Sequence, residues 1–175
     1  DLLHDRHIVE NQKRVSPKEL PALLRDIDRY DGVQARLGLQ LMSLVFVRHA
    51  ELCGAEWSEL DFEARTWTIP ANRMKKVRGG ATPHIVPLST QALAIIEQLR
   101  TINGGRKHLF PSTKGEGKVM SDNTMNKALH LLGYKDRQTV HGFRGLASTA
   151  LHEMGFQHEH IELQLAHIER NKVSA

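Results

Sequence analysis

The sequence has a single cysteine, few aromatic residues and no long apolar run. One thiol, Cys53, cannot form an internal disulfide, which fits a reducing compartment, and we expect it to be a small core residue. Aromatic residues make up 5% of the chain, which disfavours a single-strand nucleic-acid binder built on stacking platforms. No apolar run approaches the roughly 20 residues that cross a bilayer, and no signal peptide opens the sequence. A membrane anchor is therefore not expected.

The composition that remains is typical of one folded domain. The chain has 175 residues, of which 40% are hydrophobic and 25% are charged, and this length suffices to bury a core. A net charge of +4 is compatible with nucleic acid as a partner without requiring it. Residues 1–15 are polar and lack periodicity, so we expect a linker remnant there and the folded domain over 16–175. The chain starts without Met and stops inside a helical pattern, so we expect both ends to be cut from a longer protein.

Helical periodicity dominates the sequence. The stretch Ser16-Pro17-Lys18-Glu19 is a capping box and predicts the start of the first helix. A second helix, with leucines on one face, is predicted to deliver Arg48 near its end. Four more helical patterns follow: after Ser89, after Ser121, from His141 to Gly155, and over about 157–165. In the pattern that begins at His141, apolar residues as far as Ala150, Leu151 and Met154 are predicted to face the core.

Three short segments have the composition of strands. Residues 57–61, 66–70 and 84–87 are rich in Trp, Thr, Ile and Val, which favour extended structure. The basic, glycine-containing stretch 73–80 lies between the last two and predicts a hairpin tip. The fold class predicted from these patterns is α+β and mainly α-helical, with a small three-stranded antiparallel sheet.

Basic side chains and imidazoles stand at the boundaries of these predicted elements. Arg48 is followed by Glu51, Lys75 lies on the hairpin, and His141 and Arg144 are three residues apart at a helix start. That last spacing projects both side chains from one helix face beside unpaired backbone N–H groups, which suits an anion. Each segment alone has an ordinary explanation, such as a surface Arg48–Glu51 ion pair or a solvated Lys75. The joint pattern is far more specific than its members.

In this order and context, the segments resemble the catalytic domain of the tyrosine recombinases, the phage integrase family. Val47–Leu52 is similar to the family's first arginine box, and Trp67–Ser89 is similar to its lysine-bearing hairpin. His141-Gly142-Phe143-Arg144 matches its His-x-x-Arg box, and Leu165-Ala166-His167 matches the motif that holds the next histidine. The motif Ile69-Pro70-Ala71 is similar to the corresponding sequence in integrases of prophages and genomic islands related to satellite phage P4.

The resemblance implies transesterification at a DNA phosphodiester through a 3′-phosphotyrosyl intermediate, without a cofactor. Arg48 and Arg144 would bind the phosphate, because planar guanidinium groups bind it in a bidentate way. Lys75 would be the general acid that protonates the leaving 5′-oxygen, with Lys76 as the alternative. His141 would accept or relay the tyrosine proton.

The remaining roles implied by the resemblance are supporting ones. His167 would donate a hydrogen bond to a non-bridging phosphate oxygen, and Glu51 would orient its neighbours rather than react. Lys76 and Arg78, on the basic hairpin, are expected to contact DNA. Two-metal phosphodiester cleavage would need paired carboxylates, and no such cluster stands beside the basic segments.

The nucleophile is the one part of the family pattern that this sequence does not supply. The family's tyrosine follows the His167 position by a short distance, and the chain ends eight residues after His167. Tyr30 and Tyr134 both precede His141, so their order excludes them. We expect the nucleophile just beyond Ala175 and the chain as given to be inactive.

The resemblance also implies partners and a location. The expected partner is double-stranded DNA carrying attachment sites, bound by a homotetramer of the full-length protein with possible DNA-bending accessory proteins. The upstream DNA-clamping domain is absent from this sequence, so we expect the fragment to be a monomer, and we expect the protein in the bacterial cytoplasm at the nucleoid. Two alternatives are a non-catalytic DNA-binding relative and a type IB topoisomerase.

A histidine cluster near the C-terminus raises the question of a metal site. His152, His158 and His160 lie close together in the sequence, but Cys53 is far away and no His-Glu-x-x-His motif occurs. A zinc site needs three or four convergent ligands. We therefore predict no metal site and expect these histidines to be exposed or satisfied by the core.

Overall fold

A computed structural model describes residues 13–75 and 80–167, except for the side chain of Asp122. Seven helices and three strands follow one another in this part of the chain. They are α1 (Leu20–Asp28), α2 (Val33–Val45), α3 (His49–Cys53), β1 (Leu60–Asp61), β2 (Thr66–Ile69), β3 (His84–Pro87), α4 (Thr90–Asn103), α5 (Asp122–Leu129), α6 (Gly142–Glu153) and α7 (His158–Gln164). The predicted fold class, mainly helical with a small antiparallel sheet, is confirmed.

Serine side chains start three of the helical segments, as the sequence predicted. The Ser16 backbone N–H and its hydroxyl both donate to the Glu19 carboxylate at 2.9 Å, ahead of a 3₁₀ turn that leads into α1. The Ser89 hydroxyl accepts from the Ala92 N–H at 3.1 Å, and the Ser121 hydroxyl accepts from the Asn123 N–H at 3.3 Å. The Ser89 and Ser121 hydroxyls each satisfy an N–H that the first helical turn leaves unpaired, whereas at Ser16 the Glu19 carboxylate accepts from the residue that precedes the turn.

Helix α2 lies at the centre of the domain. It packs against α1, α3, α4, α5 and α6, and apolar side chains on most of its circumference are buried. A helix that is apolar nearly all round belongs in a core rather than at a surface. Gly38 allows the close approach of α5, since a Cβ there would lie 2.9 Å from the Met125 sulfur.

The sheet has the order β1-β2-β3, with antiparallel neighbours. Trp67 pairs with Val86, and Ile69 pairs with His84. These four residues are buried, whereas Thr68 and Ile85, on the opposite face, are exposed. The sheet therefore turns one apolar face, with a single imidazole in it, toward the helices.

Four features differ from the sequence-based expectations. Trp57–Glu59 is a 3₁₀ turn rather than strand, and this turn brings the Glu59 carboxylate to the indole N–H of Trp67 at 2.9 Å. Arg48 is not on the second helix, because α2 ends at Val45 and Arg48 is the N-cap of α3.

The third difference concerns the end of α6. Met154 is 71% exposed, while Ala150 and Leu151 are half-buried, so the prediction that they face the core is wrong for Met154. The chain leaves α6 at Gly155, which has a φ of 82°, and the last helical turn therefore lies at the surface. Phe46, Leu151 and Met154 border an apolar hollow of about 160 Å³ there.

The start of the domain also lies earlier than predicted. Val15 is 4% exposed and its N–H donates to the Gln138 side chain at 2.9 Å, so residues 13–15 pack with the domain rather than forming a linker. A Cβ at position 142 would collide with the Lys13 carbonyl oxygen, which accounts for glycine there. Cys53 is buried, as expected. Within the described ranges, no helix is long and apolar enough to cross a bilayer.

Candidate functional site

Two non-glycine residues in the left-handed region terminate the helices that surround the site. Phe46 (φ 54°) follows α2, and Ala166 (φ 48°) lies just beyond α7. A left-handed conformation costs a residue with a Cβ roughly 1–2 kcal/mol, and such residues concentrate where function requires a particular backbone path. Here each one turns the carbonyl groups of a helix end toward an arginine.

Arg144 is held by backbone carbonyls. Its side chain is 5% exposed, and it donates from Nη1 to the Phe46 oxygen and from Nη2 to the Leu165 oxygen, both at 2.6 Å. Burial lowers the pKa of Arg144 to about 10, with a further contribution from nearby Arg48. The guanidinium is still charged at neutral pH. Its partners carry only partial charges, so its positive charge is not neutralised by them.

Arg48 is oriented by a buried carboxylate. Its backbone N–H donates to Glu51 Oε2 at 2.8 Å, and its Nη1 donates to Glu51 Oε1 at 2.9 Å. The side chains of Arg48 and Glu51 are 23% and 3% exposed, so this is not a solvated surface pair. The geometry supports the orienting role predicted for Glu51.

The two guanidinium groups meet at the C-terminal end of α7. Arg48 Nη2 donates to the Ala166 oxygen at 3.3 Å, and Arg144 binds the oxygen of the preceding residue, Leu165. Carbonyls at a helix C-terminus attract cations. A guanidinium has more N–H groups than these bonds use, so both arginines keep donors for an anion. Two forked cations side by side are suited to a phosphate group.

A cavity of about 190 Å³ opens beside Arg48. Lys75, His84 and His167 also border it. Lys75 reaches the cavity because the 3₁₀ turn Ala71–Arg73 redirects the chain after β2. Lys76 and Arg78, which were predicted to contact DNA, lie outside the described residues.

The other predicted histidine lies at the start of α6 and is exposed. His141 precedes α6, and its ring meets that of His49 edge-on at 6.4 Å between centroids. Burial lowers the pKa of His141, and the charges of Arg144, His49, Arg48 and His167 lower it further. Its imidazole is therefore neutral at pH 7 and able to accept a proton. His167 Nδ1 lies 3.0 Å from the Glu162 carboxylate, which leaves Nε2 for a ligand.

A salt bridge that the sequence did not reveal connects the lysine segment to the arginine segment. Arg73 donates from Nε and Nη2 to the two oxygens of Glu59 at 2.8 and 2.7 Å, and from Nη1 to the Glu51 carbonyl at 3.2 Å. Gly54 makes room for it, because a Cβ there would lie 2.5 Å from Arg73 Nη1. No spacing in the sequence signals a pair that is 14 residues apart.

His84 is a second residue that sequence reasoning missed. It is 9% exposed, and its Nε2 is buried without a hydrogen-bond partner among the described residues. Burial lowers the pKa of His84. The alternation of β3 could have found it, since position 84 shares the inward face with Val86.

The C-terminal histidines form a pair rather than a centre of several ligands. His152 Nε2 lies 3.2 Å from His158 Nδ1, and His152 Nδ1 lies 2.6 Å from the Ser148 carbonyl. Over residues 13–75 and 80–167, no group of three or more His, Cys, Asp or Glu side chains is arranged to hold a metal ion.

The whole described domain matches known proteins. The family model for the phage integrase family matches residues 13–175. The integrase of Enterobacteria phage P4 is 43% identical over 167 residues, covering 89% of this chain and 38% of that protein. Prophage integrase IntA of Escherichia coli (strain K12) is 39% identical over 165 residues, covering 94% of this chain and 39% of that protein.

Solved structures share the fold. The Tn1549 transposon integrase, in complex with transposon right end DNA, superposes with a TM-score of 0.72 at 17% identity over 91% of this chain and 59% of that one. The chain spans about two fifths of the length of the two integrases that it matches in sequence.

Proposed function

The chain belongs to the phage integrase family, and we propose on that basis that it supplies the DNA-cleaving domain of a tyrosine site-specific recombinase. The proposed activity is integration and excision of a prophage or genomic island by strand cleavage and rejoining. The observation that carries the proposal is the pair of guanidinium groups, Arg48 and Arg144, held side by side on the Leu165 and Ala166 carbonyls.

This pair supports phosphoryl transfer because the negative charge of the transition state grows on the non-bridging oxygens. Donors that are fixed before the charge develops stabilise it without reorganising. Arg144 is fixed by two carbonyls, and Arg48 is fixed by Glu51 and one carbonyl. Simple binding of duplex DNA would not need buried, immobilised cations, since exposed lysines would suffice.

The reaction balances with groups from this family pattern. A tyrosine oxygen forms a bond to phosphorus while the bond from phosphorus to the 5′-oxygen breaks. The tyrosine proton passes to a neutral base, for which His141 is suited, and Lys75 gives a proton to the departing 5′-oxygen. The free hydroxyl of a partner strand then reverses these steps. The phosphotyrosyl bond keeps the energy of the broken diester, so no energy-supplying cofactor is required.

Tyr134 is not suited to be the nucleophile. Its hydroxyl donates to Asp26 at 2.7 Å, and burial together with Asp26 raises its pKa to about 12. Our proposal therefore needs a tyrosine supplied from outside these 175 residues. We also propose duplex attachment sites as substrate, and assembly of the complete protein as a tetramer on DNA.

The test is to trap the covalent intermediate with the natural protein, including the sequence that flanks this chain. A pool of duplexes of randomised sequence, each with a nick near the cleavage position, lets the short 5′-hydroxyl fragment diffuse away. We expect a denaturation-resistant protein–DNA adduct, reduced at least about 100-fold by Arg48→Ala. Two control variants should retain the adduct. One is Tyr134→Phe, and the other is Arg100→Ala, at an exposed residue that does not border the cavity.

The alternatives give different results in the same assay. Wild-type levels of adduct in Arg48→Ala would refute the assignment of the arginine site. Salt-sensitive duplex binding without any adduct would favour the non-catalytic DNA-binding relative. Adduct formation with relaxation of supercoils, but without exchange of strands between duplexes, would favour a type IB topoisomerase.

A further inference from the structure

A buried imidazole of the sheet, that of His84, is among the groups that border the cavity beside Arg48. His84 stands on β3 opposite Ile69 and is 9% exposed. It borders the cavity together with Lys75. An apolar residue would fill this position without leaving a polar atom buried and unpaired, which costs about 1–3 kcal/mol. The presence of histidine on an otherwise apolar face therefore needs an explanation.

The ring of His84 is set up as a hydrogen-bond acceptor. It is held by a hydrogen bond with the backbone of Gln164, and burial with the nearby charges of Arg144 and Arg48 keeps it neutral. Its Nε2 has no partner among the described residues. When a carbonyl holds the protonated nitrogen of a neutral imidazole, the other nitrogen presents a lone pair. His84 thus brings an unused acceptor to the wall of the cavity, and the predicted reactive groups that border the cavity, Arg48, Lys75 and His167, are donors.

Lys75 is the donor that this acceptor suits. Arg48 is held in one orientation by its bonds to Glu51 and Ala166, and His167 is oriented by Glu162, so neither turns as freely as a lysine. A lysine ammonium has several rotatable donors on a flexible stem, so it can bond to an imidazole and to a substrate oxygen at the same time. Without such an acceptor, that flexible stem would leave the proton donor poorly oriented.

We propose that His84 is a positioning residue for the general acid: its Nε2 accepts a hydrogen bond from the Lys75 ammonium and directs another of its protons toward the leaving 5′-oxygen. This inference rests on the proposed function. The imidazole itself neither gains nor loses a proton in the step. Lys75 transfers one proton to the oxygen as the phosphorus–oxygen bond breaks, and His84 acts only through Lys75.

A substrate with sulfur in place of the bridging 5′-oxygen separates this role from a structural one. A thiolate leaves without protonation because thiols are far more acidic than alcohols, so this substrate does not need the general acid. In the natural full-length protein, we expect His84→Phe to slow adduct formation about tenfold or more on the oxygen substrate and less than about threefold on the sulfur substrate. His84→Gln, whose side-chain oxygen can accept a hydrogen bond, should recover part of the loss.

Stability measurements test whether His84→Phe slows the reaction merely because it destabilises the fold. Phe keeps the ring volume and removes the unpaired nitrogen, which offsets the loss of the hydrogen bond to the Gln164 backbone, so the thermal midpoint of His84→Phe should stay close to that of the wild type. Equal slowing on both substrates, or no slowing on either, would overturn the proposal.

A second measurement does not depend on activity. In the 175-residue chain labelled with ¹⁵N-histidine, the Nε2 resonance of His84 reports whether this nitrogen accepts a hydrogen bond. The spectra are recorded with and without a short duplex at low salt. Relative to the unsubstituted chain, the His84 Nε2 resonance should shift in Lys75→Met. It should stay unchanged in Lys118→Met, the control at an exposed loop lysine. No shift in Lys75→Met in either condition would refute the role of His84. Failure of the wild type to form any adduct would instead refute the proposed function.

Discussion

Two arginines of this domain lie in similar surroundings and are satisfied in opposite ways. Arg73, 19% exposed, forms two hydrogen bonds with the carboxylate of Glu59, which is 8% exposed. Arg144, 5% exposed, donates its hydrogen bonds within the described ranges to the carbonyls of Phe46 and Leu165. A carboxylate is hydrogen-bonded to the first cation, whereas Glu51 and Glu162 act on the second only through space.

Under the proposed function, this difference separates a stabilising residue from one that binds the ligand. Burying a cation without a counter-ion costs free energy of folding, and a protein tolerates that cost where function requires the charge. The Arg73–Glu59 pair joins the turn before Lys75 to the carbonyl of Glu51, and so it supports the site from outside. Arg144 lies in the site, where a phosphate would supply the missing negative charge.

The largest effect expected from this comparison is that of Arg144→Met. The substitution removes a fixed cation and keeps much of the side-chain volume, so adduct formation by the full-length protein should fall about 1,000-fold. The free energy of unfolding of the chain, from urea titration, should change little, because the loss of a buried charge offsets the loss of the two hydrogen bonds to the Phe46 and Leu165 carbonyls. A strongly destabilised Arg144→Met would show that Arg144 holds the fold together, as Arg73 does.

Glu59→Ala should give the converse result. It leaves the Arg73 guanidinium and the Trp67 N–H without their carboxylate, so the free energy of unfolding should fall by about 3 kcal/mol. The control is Glu97→Ala, which removes an exposed pair with Arg100 at 3.4 Å and should cost less than about 0.5 kcal/mol. Equal losses in the two variants would remove the distinction between the buried and the exposed pair.

The smallest effect is a dependence of stability on pH. The pKa values of His84 and His141 are lowered from 6.5 by burial and by nearby cations, so the folded state binds fewer protons than the unfolded state just below that value. Stability should therefore be complete above pH 6.5 and decrease as the pH falls below it.

Urea midpoints at pH 7.5 and 5.5 measure this dependence. His84→Phe should reduce the difference between the two midpoints, whereas His160→Asn, at an exposed position, should leave it unchanged. An increase in stability on acidification would contradict the burial of neutral imidazoles beside the arginines.

Local features of the fold were predictable because their causes are local. The bonds made by Ser16, Ser89 and Ser121 each join residues at most three positions apart, and spacing reveals them. The candidate site residues were predicted in another way, through a resemblance carried by several segments together. That resemblance gave residue types and order, but not the N-cap position of Arg48 or the neutral state of His141.

Contacts between distant segments were not predictable from periodicity. Arg144 reaches a carbonyl 98 residues away, and any residue has a carbonyl, so no side-chain pattern marks Phe46 as its partner. Arg73 is equally compatible with solvent or with any of several nearby carboxylates until the turn at Trp57–Glu59 presents Glu59. The alternation of side chains along β3 predicts that His84 faces inward, but it does not predict the cavity that His84 borders.

The sequence by itself determined where helices and strands form and which reactive side chains the domain carries, because capping, periodicity and motif spacing act over short distances. Only the tertiary structure decided which charges are neutralised and which are left for a ligand. That outcome depends on burial and on partners brought together from α2, α6 and α7, and both are properties of the packed chain rather than of any segment of it.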